Sequence, residues 1–475
     1  MRFRQFCAAA LAVVLLLSGC SDKKTESTAD KYTRDGEGRV IPISDEYTPA
    51  NYTPKSEGWS VMNREIPGVF GQETDKLIPA VFLTTEDPDS ITKDEYVSCT
   101  LQIDAGMTGG QYDSTEILTG KIRGRGHSTW EWPKKPYKIK LDDKTSLLGM
   151  SEAKRWVLLA NYADESLLRN TAAFEMARSL GTFRFVPHAI PVDVYMNGIY
   201  QGVYTLGEQL EVKTSRLAID DGLANADTGY LLEIGGADPN TDTEGWNYFN
   251  LPSGCGVNIK IKSPDTEEDP QADLNWDQKH FDFIYNYVCK ADDAITHLDN
   301  YEKYINVDSF IDWFLVHELT YNLDSCFRRS CYITKQTLGR LEMGPVWDFD
   351  LAFGNMYMDN PKYDDWATIG SPDRSSYIGV TWFNYLMTDE SFRDKARARW
   401  QEVRDTMISS ALGAIDYYKP LVTPSAEVNF EIWNTLGISN GFQPATMKSY
   451  NTYLDQVLYV RKFINNRSKW IDENL

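Results

Sequence analysis

The run Gly344-Pro345-Val346-Trp347-Asp348-Phe349-Asp350-Leu351-Ala352-Phe353-Gly354-Asn355 places two carboxylates two residues apart in an otherwise apolar stretch. On a strand, residues i and i+2 project from the same face, so Asp348 and Asp350 would stand side by side. At roughly 5 Å and an effective dielectric of ~20, two carboxylates repel by about 3 kcal/mol. A half-buried strand carries such a pair only with an offset: a metal ion, a Lys or Arg partner, or a shared proton. The run therefore reads as a cation site before anything else is known about the chain.

The first twenty residues read as a processing segment. Arg2 and Arg4 precede a short apolar core, Ala8 to Leu17, and Leu17-Ser18-Gly19-Cys20 has the form of a bacterial lipobox. Cleavage before Cys20 would leave a thiol for lipidation, and the apolar run is too short to span a bilayer as a helix. The polar stretch from Ser21 onward reads as a tether, with no second apolar span after it. Without residues 1–19, 46 basic side chains face 69 acidic ones, a net charge of −23. That balance opposes binding to a nucleic-acid backbone. Beyond Cys20 stand Cys99, Cys255, Cys289, Cys326 and Cys331, with no zinc-type spacing and no HExxH motif. Cys326 and Cys331 are close enough in sequence to bridge a turn, or to be separate buried thiols.

Strand patterns dominate the first half. Leu77 to Ala105 and Thr115 to Arg125 read as strands. Tyr137, Ile139 and Leu141 alternate with Lys138 and Lys140, and Val192 to Leu206 reads as a hairpin turning at Asn197-Gly198. Asp164 is placed to cap a helix that stops at Gly181. Gly229 to Ile234 reads as a strand, with another near Val257 to Ile261. From Trp276 the pattern turns helical: a helix from Asp308 to Leu319, a loop with Asp324, a hairpin from about Ser330 into the Asp348–Asp350 strand, then helices over Thr381 to Leu412 and Met447 to Trp470. The fold class is α+β, with a β-rich first half and a helical second half.

Three segments carry candidate chemistry. Arg123-Gly124-Arg125-Gly126-His127-Ser128-Thr129-Trp130 offers close backbone approach together with cations and hydroxyls suited to anionic oxygens. Lys138 and Lys140 lie on a strand and could reach a phosphate or simply extend into solvent. Asp324, Asp348 and Asp350 supply carboxylates. Gly-rich turn, strand lysine, helix, hairpin, helix, loop Asp, hairpin and Asp-Phe-Asp is the order of parts in a protein kinase, although no HRD or Walker A sequence is present.

Many motifs recur in order: IRGRGHSTW (122–130), KKPYKIKLD (134–142), LLGM (147–150), LLANYADESLLRN (158–170), VYMNGIYQGVYTLGEQ (194–209), GYLLEI (229–234), NLDS with RRSCY (322–332) and GPVWDFDLAFGN (344–355). On these the chain resembles the CotH kinase family, the atypical kinases related to spore-coat protein H, over roughly residues 75 to 400. The resemblance implies an atypical protein-kinase-like two-lobed fold and transfer of phosphate from ATP, with Mg²⁺ or Mn²⁺, to protein side chains. By position it implies phosphate contact by Lys140, with Lys138, Arg123 and Arg125 nearby. It further implies Asp324 as the catalytic Asp, Asp350 as metal ligand and Asp348 as second ligand or structural acid. Glu208 and Glu233 fall in motifs without an assigned role. The chain departs from the family at His127, where Asn is usual, and carries Arg329 where conventional kinases place a metal-binding Asn.

The resulting expectation is a signal peptide over 1–19, an anchor and tether over 20–60, an N-lobe-like region over 61–210 and a C-lobe-like region over 211–475. Function is expected to be that of a lipid-anchored kinase at the cell envelope, acting on ATP and a protein substrate. The alternative is a surface-anchored binding or adhesion protein, or a pseudokinase, on the same fold.

Overall fold

The computed structural model describes residues 62–65, 73–235, 248–256, 258–264, 276–356, 364–370, 379–438 and 443–475. The leader, Cys20 and the tether lie outside the described residues. Two short strands, β1 (Met62–Glu65) and β2 (Glu73–Lys76), pair antiparallel. The main N-terminal unit uses β3 (Ala80–Thr85), β4 (Val97–Asp104), β5 (Leu118–Gly124), β6 (Tyr137–Thr145), β7 (Ala153–Leu159), β8 (Ala189–Met196) and β9 (Ile199–Glu208). Their order, β3-β4-β5-β6-β7-β9-β8, closes on itself as a barrel, with β3 running parallel to β8. Closure leaves no free sheet edge. The expected hairpin at Asn197-Gly198 joins β8 to β9, with both residues at positive φ.

The alternation expected on β6 sets the barrel core. Ile139 and Leu141 are buried inside with Leu83, Leu101, Ile103, Ile122, Trp156, Leu158 and Leu206. Lys140 is exposed on the outer face, directly opposite Lys121 and Arg155 on the neighbouring strands. Every residue of β8 is buried, because its outer face is covered as well.

Helix α1 (Arg169–Arg178) crosses between β7 and β8. It starts later than expected, and its cap is remote: Asp164 accepts the Arg169 N–H at 2.8 Å from five residues upstream. A second sheet, ordered β11-β12-β10-β13-β14, comprises β10 (Tyr230–Ile234), β11 (Tyr248–Phe249), β12 (Ile259–Ser263), β13 (Cys331–Lys335) and β14 (Leu341–Met343). Against it pack α2 (Gln278–Thr296) and α3 (Val307–Thr320), followed by α4 (Trp382–Leu386), α5 (Glu390–Ile432) and α6 (Tyr453–Asn474). The half-and-half α+β layout therefore holds, with the β-rich first half closed as a barrel.

Two expectations need correction. The helix expected to end near Leu412 continues through Pro420 and Pro424 to Ile432. Each proline removes one intrahelical bond, but Leu421, Val422, Ser425, Ala426 and Asn429 are buried, and that packing carries the helix on. Asn429 is held in a polar network on the barrel's outer face. Its Oδ1 accepts from Lys134 Nζ at 2.8 Å and from Val203 N at 3.1 Å, while Ser425 Oγ donates to Asp193 at 2.8 Å. A Cβ on Gly202, which sits at φ +95°, would lie 2.4 Å from Asn429 Oδ1, so only glycine admits this approach.

The second correction concerns the acid pair. The strand ends at Met343, and Asp348 and Asp350 lie in irregular backbone. Gly344 stands at φ +112° and Pro345 offers no N–H, so the ladder cannot continue. Asp348 is at φ +69°, in the left-handed region that Asp and Asn tolerate better than other side chains. Among the described residues no helix is long and apolar enough to cross a membrane. The five described cysteines are free, with Cys326 and Cys331 separate buried thiols.

Candidate active site

Helix α3 is capped by Tyr321, whose φ of +49° turns the chain into the loop carrying Asp324. Loop and acid run are then tied together. Asn322 Nδ2 donates to the Asp348 carbonyl at 3.0 Å, and Ser325 Oγ lies 3.1 Å from the Trp347 carbonyl and 3.0 Å from that of Asp348. Ser330 Oγ donates to Asp348 Oδ2 at 3.0 Å. The loop is backed by Gly235, where a Cβ would sit 1.4 Å from the Arg328 carbonyl oxygen. Glu233 holds its far end, accepting Ser330 N–H at 3.2 Å and pairing with Lys262 at 3.3 Å.

From the other side α1 grips the acid run. Asn170 Oδ1 accepts Phe349 N–H at 2.9 Å, and Arg169 Nε donates to the Ala352 carbonyl at 3.1 Å. Arg169 is itself fully buried and paired with Asp164 at 2.6 Å. Asn355 Nδ2 bridges the carbonyls of Asp350, at 2.7 Å, and Ala163, at 2.8 Å. Asp350 is thus fixed through the Phe349 N–H on one side and through its own main-chain carbonyl on the other.

These elements enclose a cavity of about 920 Å³ at the barrel end where β5 and β7 exit and β6 enters. Its lining has two characters. Arg125, Glu233, Lys262, Asp324, Arg328, Arg329, Asp348 and Asp350 make a charged part, while Trp132, Leu159, Tyr162, Leu351 and Met356 make an apolar one. Trp132, Ala163 and Leu351 pack as one cluster, with the Trp132 and Tyr162 rings 5.9 Å apart. His127, Ser128 and Thr129 form part of the rim.

Both acids titrate abnormally. Burial, then the charge of Asp324, pushes the Asp348 carboxyl up to about 6, against the pull of Arg125 and the Ser330 hydrogen bond. Burial, then Asp348, Asp324 and Asp164, raises Asp350 well above the usual carboxylate range. Each keeps some exposure, to the cavity rather than to bulk water. Burial lowers Arg125, and the charges of Asp348 and Asp350 oppose that shift. Arg125 also lies over Trp347, 5.8 Å from its ring centroid. The electrostatic strain inferred from the sequence is therefore present, though on a loop and not a strand.

The structure brings Asp324, Asp348, Asp350 and Arg125 into one cavity. It does not bring Lys140 there, nor Lys138 or Arg123. Lys138 and Arg123 pair across β6 and β5 on the barrel's outer face, with Arg123 over the Tyr96 ring at 4.7 Å. Glu208 lies elsewhere, paired with buried Arg216 at 2.7 Å. Within the Gly-rich segment, Gly124 and Gly126 make room for Trp130 and Thr129: a Cβ would meet them at 2.4 and 1.9 Å. Those glycines serve the turn's own packing. Residues that sequence reasoning missed include Asn322, Ser325 and Ser330, whose short polar side chains around Asp324 were the available signal.

Could the residues hold a cation and a nucleotide? Among the described residues no three His, Cys, Asp or Glu side chains converge as a self-sufficient metal centre. Mg²⁺ in nucleotide sites relies on one or two carboxylates, substrate phosphates and water. Two acids destabilised by burial and by neighbouring carboxylates beside a cavity suit that donor set. The cavity's size and its division into apolar and charged parts suit a nucleotide. The family model described as CotH kinase protein matches residues 122–471, and no curated protein matches the chain.

Proposed function

The chain belongs to the CotH kinase family, and from that premise we propose that it is a metal-dependent protein kinase passing phosphate from ATP to protein side chains at the cell envelope. The observation that carries the reading is the meeting of Asp324, Asp348 and Asp350 with Arg125 at the charged part of the 920 Å³ cavity. Phosphoryl transfer needs positioning and charge neutralisation more than covalent chemistry by the protein. In this reading the nucleobase takes the apolar wall of Trp132 and Tyr162, and the phosphates extend toward Arg125. Asp350 would hold Mg²⁺ or Mn²⁺, with Asp348 as second ligand or as the acid that orients it. A bound divalent ion would neutralise phosphate charge between the acids and the nucleotide. Asp324 accepts the proton of the acceptor hydroxyl.

Phosphate contact, expected at Lys140, moves in this reading to Arg125, because Lys140 is exposed on the outer barrel face. The barrel then corresponds to an N-lobe, and the second sheet with its helices to a C-lobe, with the cavity between. Arg2, Arg4, the apolar Ala8–Leu17 core and Cys20 support export and lipid anchoring. The outward position of Lys140 also favours a second reading, a pseudokinase that binds nucleotide without transfer.

The test is thermal unfolding with ATP and Mg²⁺ or Mn²⁺, in wild type and Asp350→Ala. A ligand at 100 times its Kd stabilises by about 2.7 kcal/mol. A metal-dependent shift in wild type, lost in the variant, supports the site. No shift removes the ATP reading, and a shift without transfer from labelled ATP selects the pseudokinase.

A further inference from the structure

Asn170 closes the LLANYADESLLRN motif, and the geometry gives it more to do than hold the Phe349 N–H. The residue is 4 % exposed, yet it lines the cavity. Its carboxamide orientation is settled by chemistry. The Phe349 main-chain N–H can only donate, so the atom facing it at 2.9 Å must be the carbonyl oxygen Oδ1. The NH₂ group then points the other way. Asn170 Nδ2 has no hydrogen-bond partner among the described residues, and it is not among the buried unsatisfied atoms. A donor that is unbonded, and neither sealed in the core nor on the outer surface, faces the cavity.

That donor is rigid. Asn170 is the second residue of α1, and the helix start is anchored by the buried Asp164–Arg169 pair. Its carbonyl is fixed to the residue between Asp348 and Asp350. Whatever accepts from Nδ2 must carry a lone pair, and it must sit in the part of the cavity that holds two carboxylates and Arg125, which suits a phosphoryl oxygen better than a base nitrogen held at the apolar wall. The end of the carboxamide turned to the cavity is the NH₂, which has donors and no lone pair for a metal, so the group it offers there suits an anion and not a cation.

We propose that Asn170 is a phosphate-binding residue whose Nδ2 donates to a phosphoryl oxygen of the bound nucleotide, while its Oδ1 holds the Asp348–Asp350 segment in register with that phosphate. The proposal rests on the nucleotide-binding reading given above. One side chain thereby couples the position of the metal-binding acids to the position of the group they act on.

Asn170→Asp separates the two roles, since it keeps an acceptor for Phe349 N–H and replaces the donor with an oxygen. Calorimetric titration with ATP and with inorganic triphosphate, both with Mg²⁺, should show affinity reduced at least tenfold for each, as losing a hydrogen bond to a charged group implies. Lys93→Gln, which makes the same unit change in charge elsewhere on the cavity lining, should cost less than threefold. Equal losses in the two variants would mean charge alone acts, and Asn170→Asp within threefold of wild type would leave nucleotide binding intact; either overturns the role of Asn170. Failure of wild type to bind ATP or triphosphate overturns this proposal and the kinase reading together. If Asn170→Asp shows no cooperative unfolding transition, Asn170→Ser, which adds no charge, is titrated against the same thresholds.

Discussion

Replacing Asp348 with Asn should stabilise the ligand-free protein, and the gain should depend on pH in one direction. The folded carboxyl is pushed up to about 6 from an ordinary value of 3.8, chiefly by burial and then by Asp324. A shift of two units at 1.36 kcal/mol each is about 3 kcal/mol, an upper bound because Asp348 keeps some exposure to the cavity. The sign follows from which state releases its proton first. Below the unfolded value both states are protonated, and the stability is fully present. As pH rises, the unfolded chain ionises first, so stability is lost until the folded carboxyl also ionises, near 6. Asn does not ionise and escapes the loss. It also tolerates the left-handed backbone at this position, where φ is +69°. Urea unfolding without metal or nucleotide should show a variant close to wild type at pH 4 and about 1–3 kcal/mol more stable at pH 7.5. Saturating ATP with Mg²⁺ should reverse that ranking, because only the carboxylate gains from the cation. A variant less stable than wild type at pH 7.5, or a difference independent of pH, would refute the reasoning.

Lys140→Ala should leave stability within about 0.5 kcal/mol of wild type and the calorimetric affinity for ATP unchanged, since Lys140 is exposed away from the cavity. A large loss of affinity would return phosphate contact to that strand. Gly235→Ala should destabilise by more than about 1 kcal/mol, because φ is +76° and the new Cβ would overlap the Arg328 carbonyl, 1.4 Å away. Urea unfolding measures the first effect, and weaker binding of ATP should accompany it if the loop carrying Asp324 is displaced.

Local patterns were legible where one side chain decided a conformation. Asn197-Gly198 marked its hairpin, and the Tyr137–Ile139–Leu141 alternation marked the barrel interior. That alternation already sends Lys138 and Lys140 to the outer face; position in a motif, not side-chain direction, had put Lys140 at the phosphate. Repulsion between Asp348 and Asp350 was legible too, because it depends on spacing and apolar neighbours. Its geometry was not, since Gly344 and Pro345 end the strand before either acid. Barrel closure was hidden because β3 pairs with β8, more than a hundred residues away and in parallel. The remote cap from Asp164 and the passage of α5 through two prolines were hidden likewise, being set by burial against partners distant in sequence.

The way the barrel closes bears on how this protein can be divided. The family match begins at Ile122, within β5, so β3 and β4 precede it. A fragment cut at that boundary would lose both strands and the first four residues of β5, baring an edge at what remains of β5 and one at β8. Two such edges are templates for pairing with another copy. A unit that keeps the barrel closed therefore starts upstream of Ala80, although the recurring motifs, the acids and the cavity-lining residues Arg125 to Met356 lie downstream of it.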